Sequence, residues 1–233
     1  MSIISIPRRK KMDLRVKDIS LLLKLSEKDI IGLIKRNEIP FYMINKQYRF
    51  NKGEISEWIL NRRASLTSEF IKLQNIEKPA FLAELIKNGG IYYNIEGSDI
   101  KSVLSNAISL LPLSNSVDKN LLLSFLLERE EMIPTYIGQG VAVPHPKKPI
   151  ITDAENSLVA VCFLKTPFVY GEKKEYLHTL FIIITSNHKN HLKTLSLLSY
   201  IIQRSEFAEL LSKKPNKDEL LFEIEKQLMQ EKF

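Results

Sequence analysis

Histidine has an unperturbed pKa near 6.5 and can serve as a nucleophile or proton carrier close to neutrality; the chain has four, His145, His178, His188 and His191. His145 lies between Pro144 and Pro146, directly after an apolar run. Each proline fixes its own φ and restricts the residue before it, so His145 is held extended, the pre-orientation from which a nucleophile benefits. His191 opens a helix after the polar turn Ser186-Asn187-His188-Lys189-Asn190. His178 stands at the start of a strand and reads as structural. His188 and His191 form an H-x-x-H pair, but no acidic partner or third ligand accompanies them, so no metal site is expected. The lone Cys162, inside an apolar run, excludes a disulfide framework and a thiolate zinc site. No cofactor is expected.

Several elements must position these side chains. Residues 135–143 read as a strand broken by Gly138 and Gly140, which either bend the backbone close to His145 or mark a bulge. Residues 157–165 and 179–185 are apolar runs bounded by turn residues, the pattern of strands buried on both faces. Residues 91–95 alternate as an edge strand. Helical periodicity covers 81–87, stopped by Asn88-Gly89-Gly90, then 99–111, 118–130, 190–203, 205–212 and 216–230. Strands interleaved with helices predict an α/β layered domain with a central mixed β-sheet flanked by helices.

The charge is unevenly distributed. The whole chain carries 34 Lys+Arg against 27 Asp+Glu, net +7. Residues 1–78 hold 17 basic and 9 acidic side chains, or +8, whereas 79–233 hold 17 and 18, or −1. A basic third beside a near-neutral remainder predicts two units with different partners, and a polyanion such as nucleic acid suits the first. No apolar run approaches the roughly 18 residues of a membrane span, and residues 1–11 lack the apolar core of a secretory signal. A cytoplasmic, soluble protein is expected.

In the basic unit, 16–25 and 27–36 are short amphipathic helices joined by about three residues, with Ser26 as N-cap of the second, the spacing of a helix-turn-helix. Ile30, Ile31 and Ile34 point inward and Lys28, Lys35 and Arg36 outward. A hairpin about Asn45-Lys46 follows, then a helix over 52–63. The segments VKDISLLLKLSEKDIIGLIKRNEIPFY and YRFNKGEISEWI resemble the excisionase/MerR-like winged helix-turn-helix family. That resemblance implies a recognition helix at 27–35 and a wing at 45–49. Lys28, Lys35, Arg36, Lys46, Gln47 and Arg49 would then contact double-stranded DNA, mostly at phosphates. Glu27 and Asp29, at the start of that helix, depart from the pattern because acids repel phosphate. Trp58 and Tyr42 read as core.

The stretch LLEREEMIPTYIGQGVAVPHPKK closely resembles the signature of phosphotransferase-system IIA domains of the fructose/mannitol and nitrogen-regulatory class. His191-Leu192 resembles that family's second histidine. The resemblance implies that His145 accepts a phosphoryl group on Nε2 from a phosphohistidine on an HPr-like carrier protein. His191 would stabilise the incoming oxygens or fix the ring, and Arg129 would neutralise the phosphate. Pro146 departs from the family's glycine and removes a backbone N–H, while Lys147 or Lys148 supplies charge nearby. The implied domains are a helix-turn-helix at 12–63, a linker and lead-in at 64–97 with a short helix near Phe70, Ile71 and Leu73, and a IIA domain at 98–230.

The function expected is a phosphorylation-responsive regulator of the nitrogen-regulatory type. The HPr-like carrier, DNA, and a regulated kinase or transporter would be its partners. It would be a phosphoryl acceptor rather than a turnover enzyme. Two alternatives stand beside it: a phosphocarrier in sugar uptake whose N-terminal unit only docks partners, and a protein-binding regulator with a dead site.

Overall fold

Ser26 supplies the first organising bond of the N-terminal unit. Its hydroxyl accepts the Asp29 amide at 3.1 Å, while Asp29 Oδ2 accepts the Ser26 amide at 3.3 Å. This reciprocal capping box satisfies two amides that a helix start leaves unpaired and contributes about 1 kcal/mol. It starts helix α2 (Glu27–Lys35), which follows α1 (Val16–Leu23). The two meet through buried Ile19, Leu22, Ile30 and Ile34, with Ile31 half-buried. Asn45 and Lys46 both have positive φ, 47° and 62°, the backbone of a type I′ hairpin turn. They join β2 (Tyr42–Ile44) to β3 (Gln47–Asn51). A strand unforeseen from the sequence, β1 (Asp13–Leu14), pairs with β3 on its other side, giving the order β1-β3-β2.

The computed structural model describes residues 13–23, 25–51, 54–55, 58, 80–115, 117–132, 134–147, 150–151, 154–171 and 174–229. Glu54, Ile55 and Trp58 are helical; the rest of the expected 52–63 helix, the helix near Phe70 and Lys148 lie outside the described residues. The chain divides into two compact units, Met1–Ala64 and Ser65–Phe233.

The second unit is a five-stranded mixed sheet in the order β4-β7-β8-β6-β5. Its strands are β4 (Ile91–Ile95), β5 (Tyr136–Gly138), β6 (Val141–Ala142), β7 (Leu158–Tyr170) and β8 (Glu175–Ile184). β4 runs parallel to β7 and β6 parallel to β8; the β7–β8 and β5–β6 pairs are antiparallel. Six helices accompany the sheet among the described residues: α3 (Ala80–Gly89), α4 (Ile100–Leu110), α5 (Lys119–Met132), α6 (His188–Ile202), α7 (Ser205–Ser212) and α8 (Lys217–Met229). One core cluster joins Val103, Leu104, Ile108, Leu122 and Leu126 of α4 and α5 to Ala160, Cys162, Leu180 and Ile182 of the central strands. Each fully buried Leu or Ile contributes about 1.5–3 kcal/mol relative to exposure. Cys162 is wholly buried, and desolvation pushes its thiol up to about 12.

The helix expected over 81–87 and the edge strand expected over 91–95 are α3 and β4. Gly89 packs so tightly on β7 that a Cβ there would meet the Val159 carbonyl oxygen at 2.3 Å. The 157–165 and 179–185 strands extend to Tyr170 and back to Glu175 because a register shift between Phe163 and Phe168 accommodates Pro167, which has no ladder donor. The 135–143 segment is a two-stranded hairpin with a bulge between Tyr136 and Gly138, turning at Gln139-Gly140.

Candidate functional site

His145 follows β6, and β8 fixes its approach: the Ile183 amide donates to the Pro144 carbonyl at 2.9 Å. Pro144, His145 and Pro146 are all buried, with His145 8% exposed. Its Nδ1 lies 2.7 Å from the Val143 carbonyl oxygen. A carbonyl only accepts, so in the neutral ring Nδ1 carries the proton and Nε2 the lone pair. Burial holds the imidazole well below its ordinary pKa, and the nearby His191 and Arg129 add to the effect, while the Val143 bond opposes it. The ring is therefore neutral at pH 7 with one nucleophilic nitrogen.

His191 comes from the first turn of α6. Asn187 caps that helix, its side-chain oxygen accepting the Asn190 amide at 2.8 Å. The His145 and His191 rings stand 4.9 Å apart between centroids, tilted 58°. Thr185 Oγ1 lies 3.4 Å from His191 Nδ1. Arg129, in the last turn of α5, is half-buried and its charge reaches His145. The sequence thus brings His145, His191 and Arg129 together from three separate elements. An always-protonated guanidinium, a second imidazole and the positive end of a 15-residue helix beside a neutral imidazole suit an incoming anion.

Three neighbours were not singled out from the sequence. Glu130, 4% exposed, accepts the Thr135 amide at Oε1 at 2.8 Å and also the Tyr170 hydroxyl. Tyr170 is pushed above the ordinary phenol range by burial, then by the Glu130 charge and its hydrogen bond. Nothing in the L-E-R-E run marks one of its acids as buried.

The glycines are elsewhere. The Gly140 carbonyl accepts the His178 amide at 2.9 Å, whereas Pro144 pairs with Ile183. Five residues of strand, roughly 16 Å, separate those two contacts, so Gly138 and Gly140 serve the bulged hairpin and not the His145 backbone. Gln139, Gly140, Glu175 and His178 line a separate open cavity of about 530 Å³. Lys147 is exposed, and the His188 side chain lies outside the described residues.

In the N-terminal unit, Lys28, Lys35 and Lys46 are exposed. Arg36 is engaged in a two-pronged bond to Glu38, Nε–Oε1 3.0 Å and Nη2–Oε2 3.2 Å. Arg49 donates to Gln47 Oε1 at 2.6 Å and to the Tyr48 carbonyl at 3.0 Å. Asp29 is explained by its capping role. Trp58 is half-buried and donates to the Glu38 carbonyl at 2.6 Å; Tyr42 is also half-buried. No helix among the described residues is long and apolar enough to cross a membrane.

Comparison with known proteins gives the following matches. Residues 84–227 match the family model for the phosphoenolpyruvate-dependent sugar phosphotransferase system (PTS), EIIA 2, and residues 14–63 match a helix-turn-helix domain. The chain is 26% identical over 144 residues to the PTS system fructose-specific EIIABC component of Bacillus subtilis (strain 168), covering 60% of this chain and 22% of that protein. It is 32% identical over 91 residues to the Transcriptional regulator ManR of the same organism, covering 38% and 13%. These matches therefore take up less than a quarter of either relative. The Nitrogen Regulatory Protein IIA-Ntr from Neisseria meningitidis has a TM-score of 0.50 at 23% identity, over 57% of this chain and 92% of that one. A PTS IIA domain from Streptococcus pyogenes M1 GAS has 0.51 at 15% identity, over 65% and 96%. Both share the fold.

Proposed function

Because this chain belongs to the phosphoenolpyruvate-dependent sugar phosphotransferase system EIIA 2 family and joins that domain to a helix-turn-helix, we propose that it is a phosphorylation-responsive regulator. His145 is the phosphoryl acceptor. The donor is a phosphohistidine on an HPr-like carrier, and the readout is what the helix-turn-helix unit binds. The nitrogen-regulatory class is the finer assignment within this reading.

The observation that carries it is the His145 ring, neutral and tautomerically fixed, beside His191 and within reach of the Arg129 charge. The Nε2 lone pair attacks phosphorus as the donor's P–N bond breaks, and the leaving imidazole keeps the electron pair of that bond. The proton stays on Nδ1, donated in a hydrogen bond to the Val143 carbonyl, so no base is needed. A loose phosphoryl-transfer transition state asks chiefly for positioning and for positive charge around three oxygens, which Arg129, His191 and the start of α6 supply. Pro146 offers no amide to those oxygens.

On the N-terminal unit, exposed Lys28, Lys35 and Lys46 are the DNA-phosphate contacts, with Gln47 and Arg49 on the wing. Arg36 joins them by exchanging its surface pairing with Glu38, which costs little. A bound phosphoryl group adds nearly two negative charges to the other unit. One relative is named a transcriptional regulator and another a PTS system fructose-specific EIIABC component; the helix-turn-helix favours the regulatory reading for this chain.

The deciding experiment is incubation with a phosphorylated HPr-like carrier, followed by mapping of acid-labile phosphate. His145→Ala loses the label. Label persisting in that variant removes His145 as acceptor. Duplex affinity that falls steeply with salt, by about 0.9 in log K per phosphate contact for each unit of log salt, supports DNA as partner. A flat dependence points instead to a protein-binding regulator.

A further inference from the structure

The strand pair that leads into His145 is bonded irregularly. Thr135 stands opposite Val143, one step beyond the registered pair Tyr136–Ala142. Facing residues in a hydrogen-bonded antiparallel pair exchange two bonds, each amide donating to the other's carbonyl. Half of that exchange is present: the Val143 amide donates to the Thr135 carbonyl at 3.1 Å. The reciprocal donor, the Thr135 amide, turns to Glu130 Oε1 at 2.8 Å. The reciprocal acceptor, the Val143 carbonyl, takes the His145 Nδ1 proton at 2.7 Å. A carboxylate from α5 has taken the donor that ordinary pairing would place on the carbonyl used by the imidazole.

We propose that Glu130 is a positioning residue for His145: by drawing the Thr135 amide out of the ladder it leaves the Val143 carbonyl to hold Nδ1–H, and so directs the lone pair to Nε2. This rests on His145 being the phosphoryl acceptor. Glu130 is an expensive group for a purely structural task. It is buried, its Oε1 takes both the Thr135 amide and the Tyr170 hydroxyl, and its Oε2 has no hydrogen-bond partner. A buried carboxylate oxygen left unbonded is unfavourable, and an apolar side chain of similar volume would fill the space without that cost. Glu130 is also the residue next to Arg129, so one turn of α5 carries both the charge that reaches His145 and the acceptor that sets its ring.

The test reads the tautomer and the transfer separately, in the full-length chain. Nitrogen-15 histidine NMR reports which ring nitrogen of His145 bears the proton; label uptake from a phosphorylated HPr-like carrier reports the rate. Glu130→Met fills the space without offering an acceptor. Its Thr135 amide returns to the Val143 carbonyl, the Nε2–H tautomer of His145 appears, and uptake slows on the order of 10- to 100-fold, the usual effect of losing a partner that orients a reactive group. Glu130→Gln keeps an acceptor oxygen and restores both signals. Glu130→Ala makes the same test should methionine not be accommodated. An unchanged Nδ1–H signature in a folded Glu130→Met or Glu130→Ala chain overturns the proposal, as does a Glu130→Gln chain that behaves like them. Absence of label on wild-type His145 would defeat the acceptor reading, while the tautomer shift would still support this one.

Discussion

His145 and His178 lie toward opposite ends of one parallel strand pair, β6–β8, and burial pushes both below the ordinary imidazole pKa. Their bonding differs. His178 Nδ1 lies 2.8 Å from Thr179 Oγ1, and Gly140 packs against its ring. His145 is bonded at Nδ1 to the Val143 carbonyl and faces His191, with the Arg129 charge in reach. Burial disfavours the charged form of both, and what stands against each ring differs: Gly140 at His178, His191 and the Arg129 charge at His145. One imidazole braces a hairpin; the other is poised to react.

That contrast can be broken at either end. The largest effect is expected from Arg129→Gln, which removes the positive charge from the His145 site and should slow label uptake about 100-fold, the usual loss of one oxyanion-stabilising group. Rapid-quench labelling measures it, and a rate within twofold of wild type would leave Arg129 no part in transfer. Next comes Gly140→Ala. A Cβ there would stand 2.1 Å from His178 Nε2, at a φ of +73°. It should destabilise the unit by roughly 2 kcal/mol in urea unfolding, with little change in the labelling rate of the folded fraction. A comparable loss of rate would show that the hairpin and the His145 site are not independent. The smallest effect is on pH dependence. Both native pKa values lie below the unfolded one, so between the two the unfolded state binds more protons. The stability is fully present above about pH 6.5 and lost as pH falls toward the native values. Urea midpoints should fall on acidification from about pH 7 to about pH 5.5, less so in His178→Asn. A midpoint insensitive to pH in the wild type would contradict the burial of both rings.

Much of this was legible in the sequence. Prolines bracketing His145, the polar turn before His191 and the helix bearing Arg129 are local features, and local features survive folding. The hairpin about Asn45-Lys46 is equally visible. What escaped depends on long-range pairing. Strand β1 is two residues long, too short for any period, and exists because β3 offers it a ladder at Phe50 and Asn51. Glu130 looks like any helix-surface acid until β7 brings the Tyr170 hydroxyl to it from 40 residues away. Gly138 and Gly140 are close to His145 in number, yet an extended strand carries them away. The acids at the start of α2 read as a defect in a DNA-facing helix; for Asp29 the reason is the reciprocal capping box with Ser26.

Cys162 carries a consequence of its own. It sits on β7 between Tyr92 of β4 and Leu180 of β8, fully enclosed. With its thiol pushed up to about 12, it is a hydrophobic filler while the sheet is closed. Once the sheet parts, its pKa returns to near 8.5 and thiolate forms at ordinary pH. The one sulfhydryl of the chain is therefore two substances in succession, inert in the native protein and reactive only in its open forms, and an oxidant sees the unfolding of this sheet before it sees a cysteine.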